Sequence, residues 1–167
     1  VKDGGVGKLT LMLNMHSRQL TECLCTALAN CLEHSNNPRC FSDFHSQGGI
    51  RLLVVLLRTH PQDTKHICLD LIRLCIIENT IITCKELIER RGIDSLAIIA
   101  KKSKSNSSDQ RSCLRVIKCL LGFVRGRLNA KKIHKKTTEE DSKQESSIDA
   151  LKTDILFHLW RCKILKS

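Results

Sequence analysis

Tyrosine is absent from this chain, and other aromatics are few: four Phe and one Trp, so that aromatics make up 3% of 167 residues. Sheet sandwiches and barrels lean on aromatic and β-branched residues at period two, so the composition points away from them. The core has to be aliphatic, and a hydrophobic content of 41% suffices to build one from Leu, Ile, Val, Ala and Cys. Proline is nearly as scarce. Only Pro38 and Pro61 are present, which leaves long stretches free to be helical. No apolar run reaches the roughly 18–20 residues that a spanning helix requires. No signal peptide is visible. The chain opens on Val1, followed by Asp3-Gly4-Gly5, which reads as a start inside a longer protein.

Cysteine, by contrast, is plentiful at ten residues. Most lie inside aliphatic runs, as in Leu71-Ile72-Arg73-Leu74-Cys75-Ile76-Ile77. Free cysteine behaves as a small hydrophobe, so the pattern predicts reduced thiols and a cytoplasmic or nuclear location. The net charge of +11 is concentrated in one place. Residues 1–99 carry 11 Lys/Arg against 10 Asp/Glu, and residues 137–167 carry 5 against 6. Residues 100–136 carry 12 against the single Asp109, so the entire excess sits in that segment.

The chain repeats itself. Gly4-Gly5-Val6, Gly48-Gly49-Ile50 and Arg91-Gly92-Ile93 recur 44 and 43 residues apart, each followed by an apolar segment. About 20 residues after each glycine comes a second apolar segment: Leu24–Cys31, Cys68–Cys75 and Cys113–Leu120. A glycine that turns the chain at φ > 0 ends one helix and starts the next. Leucines three and four apart then predict a helix. Pro61 pushes His60 off helix and places a break before the following one. Such helices bury a continuous core only when stacked on their neighbours.

This pattern resembles the armadillo repeat. The first unit carries Gly4-Gly5-Val6, Ala27-Leu28-Ala29-Asn30 and Asn36-Asn37; the second keeps Gly48-Gly49-Ile50 but has Leu74 in the place of Asn30. The third keeps Gly92-Ile93 and has Cys119 there. The resemblance implies an all-α fold over residues 1–128: a right-handed α-solenoid of three-helix repeats at 4–47, 48–90 and 91–128. The last helix of each repeat would line a concave groove. It also implies that Asn30 clamps the backbone of an extended peptide. One turn earlier, where import adaptors of this family carry Trp, the chain has Thr26, Asp70 and Arg115, which argues against recognition of basic import signals.

Catalytic and metal signatures are weak. Asp3–Thr10 has a glycine-lysine element, but a phosphate-binding loop would need glycine and Ser/Thr where Lys2 and Leu9 stand. Cys23, Cys25, Cys31, His34, Cys40 and His45 are the residue types of a zinc site. However, Cys23 and Cys25 point about 200° apart on a helix, so they read as core cysteines with polar loop histidines. No Cys/His pair carries a supporting nucleophile motif, and Glu33, Asp43 and Asp94 form no carboxylate pair. The expectation is no enzyme, no metal and no cofactor.

The strongest functional signal is basic. Arg111, Arg115, Lys118 and Arg125 are spaced to share one helix face, with Val116, Ile117, Leu120 and Leu121 on the buried side. On a groove helix this stripe would favour an acidic or phosphorylated segment of a partner protein. The predicted groove set is Asn30, Arg73, Arg111, Arg115 and Lys118. Arg125, Arg127, Lys131, Lys132, Lys135 and Lys136 continue as a basic run. Only Phe123 lies near for base stacking, which makes nucleic acid a poor partner. The rival readings are a spacer within a larger protein and a nucleic-acid-associated solenoid using residues 101–136. Residues 129–147 read as a linker. Residues 148–165 read as an amphipathic helix with Ile148, Leu151, Ile155, Leu159 and Cys162 on one face, capped by Ser146 or Ser147. That helix would cover the end of the stack. At the other end, Val6, Leu9, Leu11 and Leu13 are expected to form an exposed apolar edge.

Overall fold

The computed structural model describes residues 4–15, 18–34, 39–59, 62–102, 107–126 and 139–162. Regular structure among them is wholly α-helical: α1 Gly5–Met15, α2 Arg18–Glu33, α3 Arg39–Ser46, α4 Gly49–Thr59, α5 Gln62–Glu78, α6 Thr80–Glu89, α7 Gly92–Lys102, α8 Ser108–Val124 and α9 Glu139–Arg161. No helix among them is long and apolar enough to cross a membrane.

The long helices α2, α5 and α8 lie side by side in chain order. Behind each sits the helix that precedes it in its unit: α1 on α2, α4 on α5 and α7 on α8. The short helices α3 and α6 bridge successive units, α3 joining α1 to α4 and α6 joining α4 and α5 to α7. The core is aliphatic and sulfur-rich. In α5 it takes Cys68, Leu69, Leu71, Ile72, Cys75 and Ile76, because α2, α8, α4 and α6 surround that helix. Aromatic contribution is small, with Phe41, Phe44 and Phe123 buried.

The glycine pairs do two separate jobs. The first residue of each pair turns the chain in the left-handed region: Gly4 at φ 88° and Gly48 at φ 71°. Arg91 takes the same place at φ 54°, where an L side chain is disfavoured. The local bonding is the same in both later turns. Gln47 N donates to Asp43 O and Gly48 N to His45 O, as Arg90 N does to Glu86 O and Arg91 N to Ile88 O. In the two later units the second residue permits close approach. A Cβ on Gly49 would lie 2.4 Å from the Phe44 ring, and one on Gly92 would lie 2.6 Å from Leu87 Cδ2. Phe44 and Leu87 are themselves 43 residues apart, so the same contact recurs in successive units.

Helix α9 rests across the far end, touching α6, α7 and α8. It buries Leu151, Ile155 and Leu159. Its start differs from expectation: the helix begins at Glu139, inside the segment read as a linker, so positions 146 and 147 lie within the helix and not at its N-cap. The stretch is free of Pro and Gly and rich in Glu, Lys and Gln, which propagate a helix well. Residues 129–138 lie outside the described residues. At the near end, the expected apolar edge is also redistributed. Val6 and Leu13 are buried and Leu9 is half-buried, while among the described residues Leu11, Met12 and Leu20 are the exposed apolar ones at this end.

Candidate functional site

The open side of the α2–α5–α8 row carries the sequence-selected residues. Each helix turns its apolar positions inward, which leaves residues three, four and seven apart facing out. On α8, Arg111, Arg115 and Lys118 are exposed, and Leu114 stands beside them. Among the described residues, none of these three cations has a hydrogen bond or ion pair. Arg125 is exposed just past the end of α8. Arg127, Lys131, Lys132, Lys135 and Lys136 lie outside the described residues.

Arg73 is a different kind of residue from the stripe it was grouped with. It is half-buried on α5, and its Nε faces Asp70 Oδ1 at 3.8 Å on the same helix. Asp70 Oδ2 in turn accepts from Ser112 Oγ of α8 at 3.5 Å. Arg73 also reaches the Cys119 side: its charge works to lower the Cys119 thiol, though burial wins and holds that thiol above the ordinary range. Asp70 therefore links α5 to α8 through Ser112, and Arg73 offsets part of its charge from the same helix without a hydrogen bond at Nε. Asp70 and Ser112, which complete that bridge, carried no sequence signal because an i,i+3 pair and a lone serine occur on any helix.

Asn30 is exposed on α2. Its neighbours on that face are Glu22, Thr26 and Glu33, all exposed. The face therefore changes sign along the row: acidic and neutral on α2, internally paired on α5, and uncompensated cationic on α8. The sequence grouping of Asn30 with the cations joined two ends of one surface that differ in chemistry.

The cysteine and histidine candidates disperse. Cys25 and Cys40 are buried, Cys31 is half-buried and Cys23 is exposed. Cys25 meets Cys68 across the α2–α5 contact, and the hydrogen bond between them, helped by burial, pushes the Cys68 thiol up. His45 is not a loop histidine. It sits half-buried in α3, with Nδ1 3.4 Å from Glu86 Oε1 and Nε2 3.3 Å from Thr83 Oγ1, where it ties α3 to α6. No group of three His, Cys, Asp or Glu side chains among the described residues is placed to hold a metal ion.

Asp94, read in the sequence only as a carboxylate without a partner carboxylate, anchors α9. Arg161 Nη2 donates to its Oδ1 at 2.7 Å, His158 Nδ1 lies 3.9 Å away, and Cys162 Sγ lies at 3.4 Å. Burial alone would raise the carboxyl. The hydrogen bonds from Arg161 and Cys162 and the nearby positive charge outweigh it and hold Asp94 below its ordinary value.

No family model matches the chain, and no curated protein does. The fold is similar to that of an engineered protein whose crystal structure was solved by the Northeast Structural Genomics Consortium. The TM-score is 0.58 at 16% identity, covering 95% of this chain and 64% of that one. The chain thus spans less than two thirds of that protein's length, and at this identity the likeness concerns the fold alone.

Proposed function

We propose that these helices form an armadillo-type, right-handed solenoid segment. In this reading it binds an acidic or phosphorylated segment of a partner protein, in a cytoplasmic or nuclear setting. The repeating left-handed turn at Gly4, Gly48 and Arg91, the recurring Phe44/Leu87 contact and the serial α2–α5–α8 row support the architecture. The single observation that carries the binding role is the uncompensated row Arg111–Arg115–Lys118. Three adjacent exposed cations on one helix face repel one another, and an acidic segment relieves that repulsion.

On this reading the anchor is the α8 end of the face, and Asn30 serves as a polar contact for the peptide backbone further along. The charge at that α2 end, with Glu22 and Glu33, favours a partner segment whose acidity fades in one direction. The reading involves no catalysis and no cofactor.

The test is a binding titration of a fluorescent Glu-rich or phosphoserine peptide, comparing wild type with Arg115→Glu/Lys118→Glu. Exposed ion pairs contribute modestly, about 0.2–1 kcal/mol each, so reversing two charges, which exchanges attraction for repulsion at both, should weaken binding about fourfold or more. Binding should also fall as salt rises. A pull-down from lysate with nuclease present extends the test to the natural partner. Identical binding and capture profiles for the two proteins would return the stripe to an ordinary solvated face and put the spacer role first.

A further inference from the structure

A second charged feature lies away from the α2–α5–α8 face. Between the α4/α5 unit and the α7/α8 unit is a cleft of about 440 Å³. Its charged lining is Arg58, Lys65, Lys102 and Asp109; its apolar wall is Leu57, Ile98 and Ile99. It opens near the start of α8, where Asp109 and Arg111 are two residues apart and so point about 200° away from each other. The cleft and the cationic stripe therefore occupy different sides of α8.

The lining groups are not equivalent. Arg58 is committed to the fold: Nε donates to Ser95 Oγ at 2.9 Å, and Nη2 donates to the carbonyls of Arg90 and Arg91 at 2.7 and 3.0 Å. It contributes fixed positive charge but is no free clamp. Asp109 is buried at 2% exposure, sits in the first turn of α8, and is already engaged. The positive end of α8 is thereby answered from within the chain. Lys65 and Lys102 differ from both. One is half-buried and the other exposed, and neither has a hydrogen bond or ion pair among the described residues. Beside them Ile98 presents an apolar side chain to solvent at 53% exposure.

We propose that this cleft binds a small phosphate monoester carrying a short apolar group. Three cations face one carboxylate, an excess that a dianion neutralises, and a phosphate monoester carries about −1.5 to −2 at neutral pH. Lysine ammoniums serve phosphate as mobile point charges, without the planar fork by which arginine holds phosphate or carboxylate bidentately. The volume is that of a small-molecule site, and sites of this kind pair an apolar wall with a few convergent polar groups. In this assignment Lys65 and Lys102 hold the phosphate oxygens. Arg58 adds field from a fixed position, and Ile98 with Leu57 covers the apolar group. The proposal is independent of the partner-binding face.

The experiment follows backbone amide signals of the intact chain by NMR while phenyl phosphate is added, with inorganic phosphate and phenol in parallel. Phenyl phosphate should give saturable shifts at Leu57, Lys65 and residues 95–102. Phosphate alone should bind more weakly at the same place, and phenol should give no saturable shift. Lys65→Gln/Lys102→Gln removes the two charge-assisted contacts and should weaken binding at least about tenfold. Ile98→Ser, at an exposed position, should reduce phenyl phosphate towards the affinity of inorganic phosphate. Three results would overturn the assignment: no saturable shift, shifts centred on Arg111, Arg115 and Lys118, or unchanged affinity in the lysine double variant.

Discussion

Arg91 stands where the other two units have glycine, and replacing it with glycine should stabilise the protein. Its backbone sits at φ 54° while Gly4 and Gly48 sit at 88° and 71°. The left-handed conformation costs a non-glycine residue about 1–2 kcal/mol. Glycine returns part of that gain, about 0.4–1 kcal/mol, through the larger freedom of its unfolded chain. The side chain itself is exposed and makes no ion pair among the described residues, so nothing is lost with it. The net expectation for Arg91→Gly is a gain of about 0.5–1 kcal/mol, which for a chain of this size raises the melting temperature by roughly 1–4 °C. Gly48→Ala is the reciprocal experiment. No atom lies within 4 Å of a Cβ built there, so any loss is conformational, and about 0.5–1 kcal/mol is expected. Arg58 sharpens the test, because its guanidinium bonds the carbonyls of Arg90 and Arg91. If those bonds hold down a strained turn, Arg58→Ala should cost less in the Arg91→Gly background than in wild type. Urea melts with matched slopes supply all four values. A lower midpoint for Arg91→Gly, or an unchanged one for Gly48→Ala, would refute the strain argument.

Gly49→Ala should destabilise for a steric reason, since the new methyl would meet the Phe44 ring at 2.4 Å. Overpacking of this kind costs about 1–3 kcal/mol, and Gly49→Ala/Phe44→Leu should recover part of it in the same melts. Removing the α9 anchor with Arg161→Ala should speed hydrogen exchange of amides 151–161 while amides in α5 keep their protection. The same anchor predicts an acid response. Asp94 is depressed in the folded state, so its contribution is full above the ordinary carboxylate pKa of about 4 and is lost as pH falls through the folded value. Protection of α9, relative to the intrinsic exchange rate at each pH, should therefore fall below about pH 4 ahead of that of α5. Burial pushes the Cys84 and Cys113 thiols up to about 12 and raises Cys75 as well. Iodoacetamide should label the exposed Cys23 roughly a hundredfold faster than these three, as read by peptide mass spectrometry. Equal rates in native protein would mean that the core is not closed around them.

The helical character of the chain was legible in its residues. Scarce aromatics, two prolines and leucines at helical spacing leave helices as the economical way to bury aliphatic surface. The 43–44 residue repeat located the turns near Gly48 and Gly92, because a glycine turn leaves a local mark, although in the third unit the left-handed residue is Arg91 and not the glycine beside it. The inward and outward faces of α8 were legible for the same reason: a period of 3.6 separates Val116, Ile117 and Leu120 from Arg111, Arg115 and Lys118.

Contacts between helices left no such mark. Whether Arg73 is a free cation depends on Asp70 and, through Ser112, on a helix about 40 residues away. The repeat alignment put it in the groove set beside the stripe, because such an alignment reports where a residue stands on its helix and not what it pairs with. Only packing brought Arg161 onto Asp94, assigned His45 to a joint between α3 and α6, and assembled Arg58, Lys65, Lys102 and Asp109 around one cleft. The sequence by itself determined what must be helical, where the chain turns and which sides are apolar, since those follow from short-range sterics and burial. Tertiary structure alone decided which charges are compensated and which stay open, because compensation is a matter of distance between residues far apart in the chain.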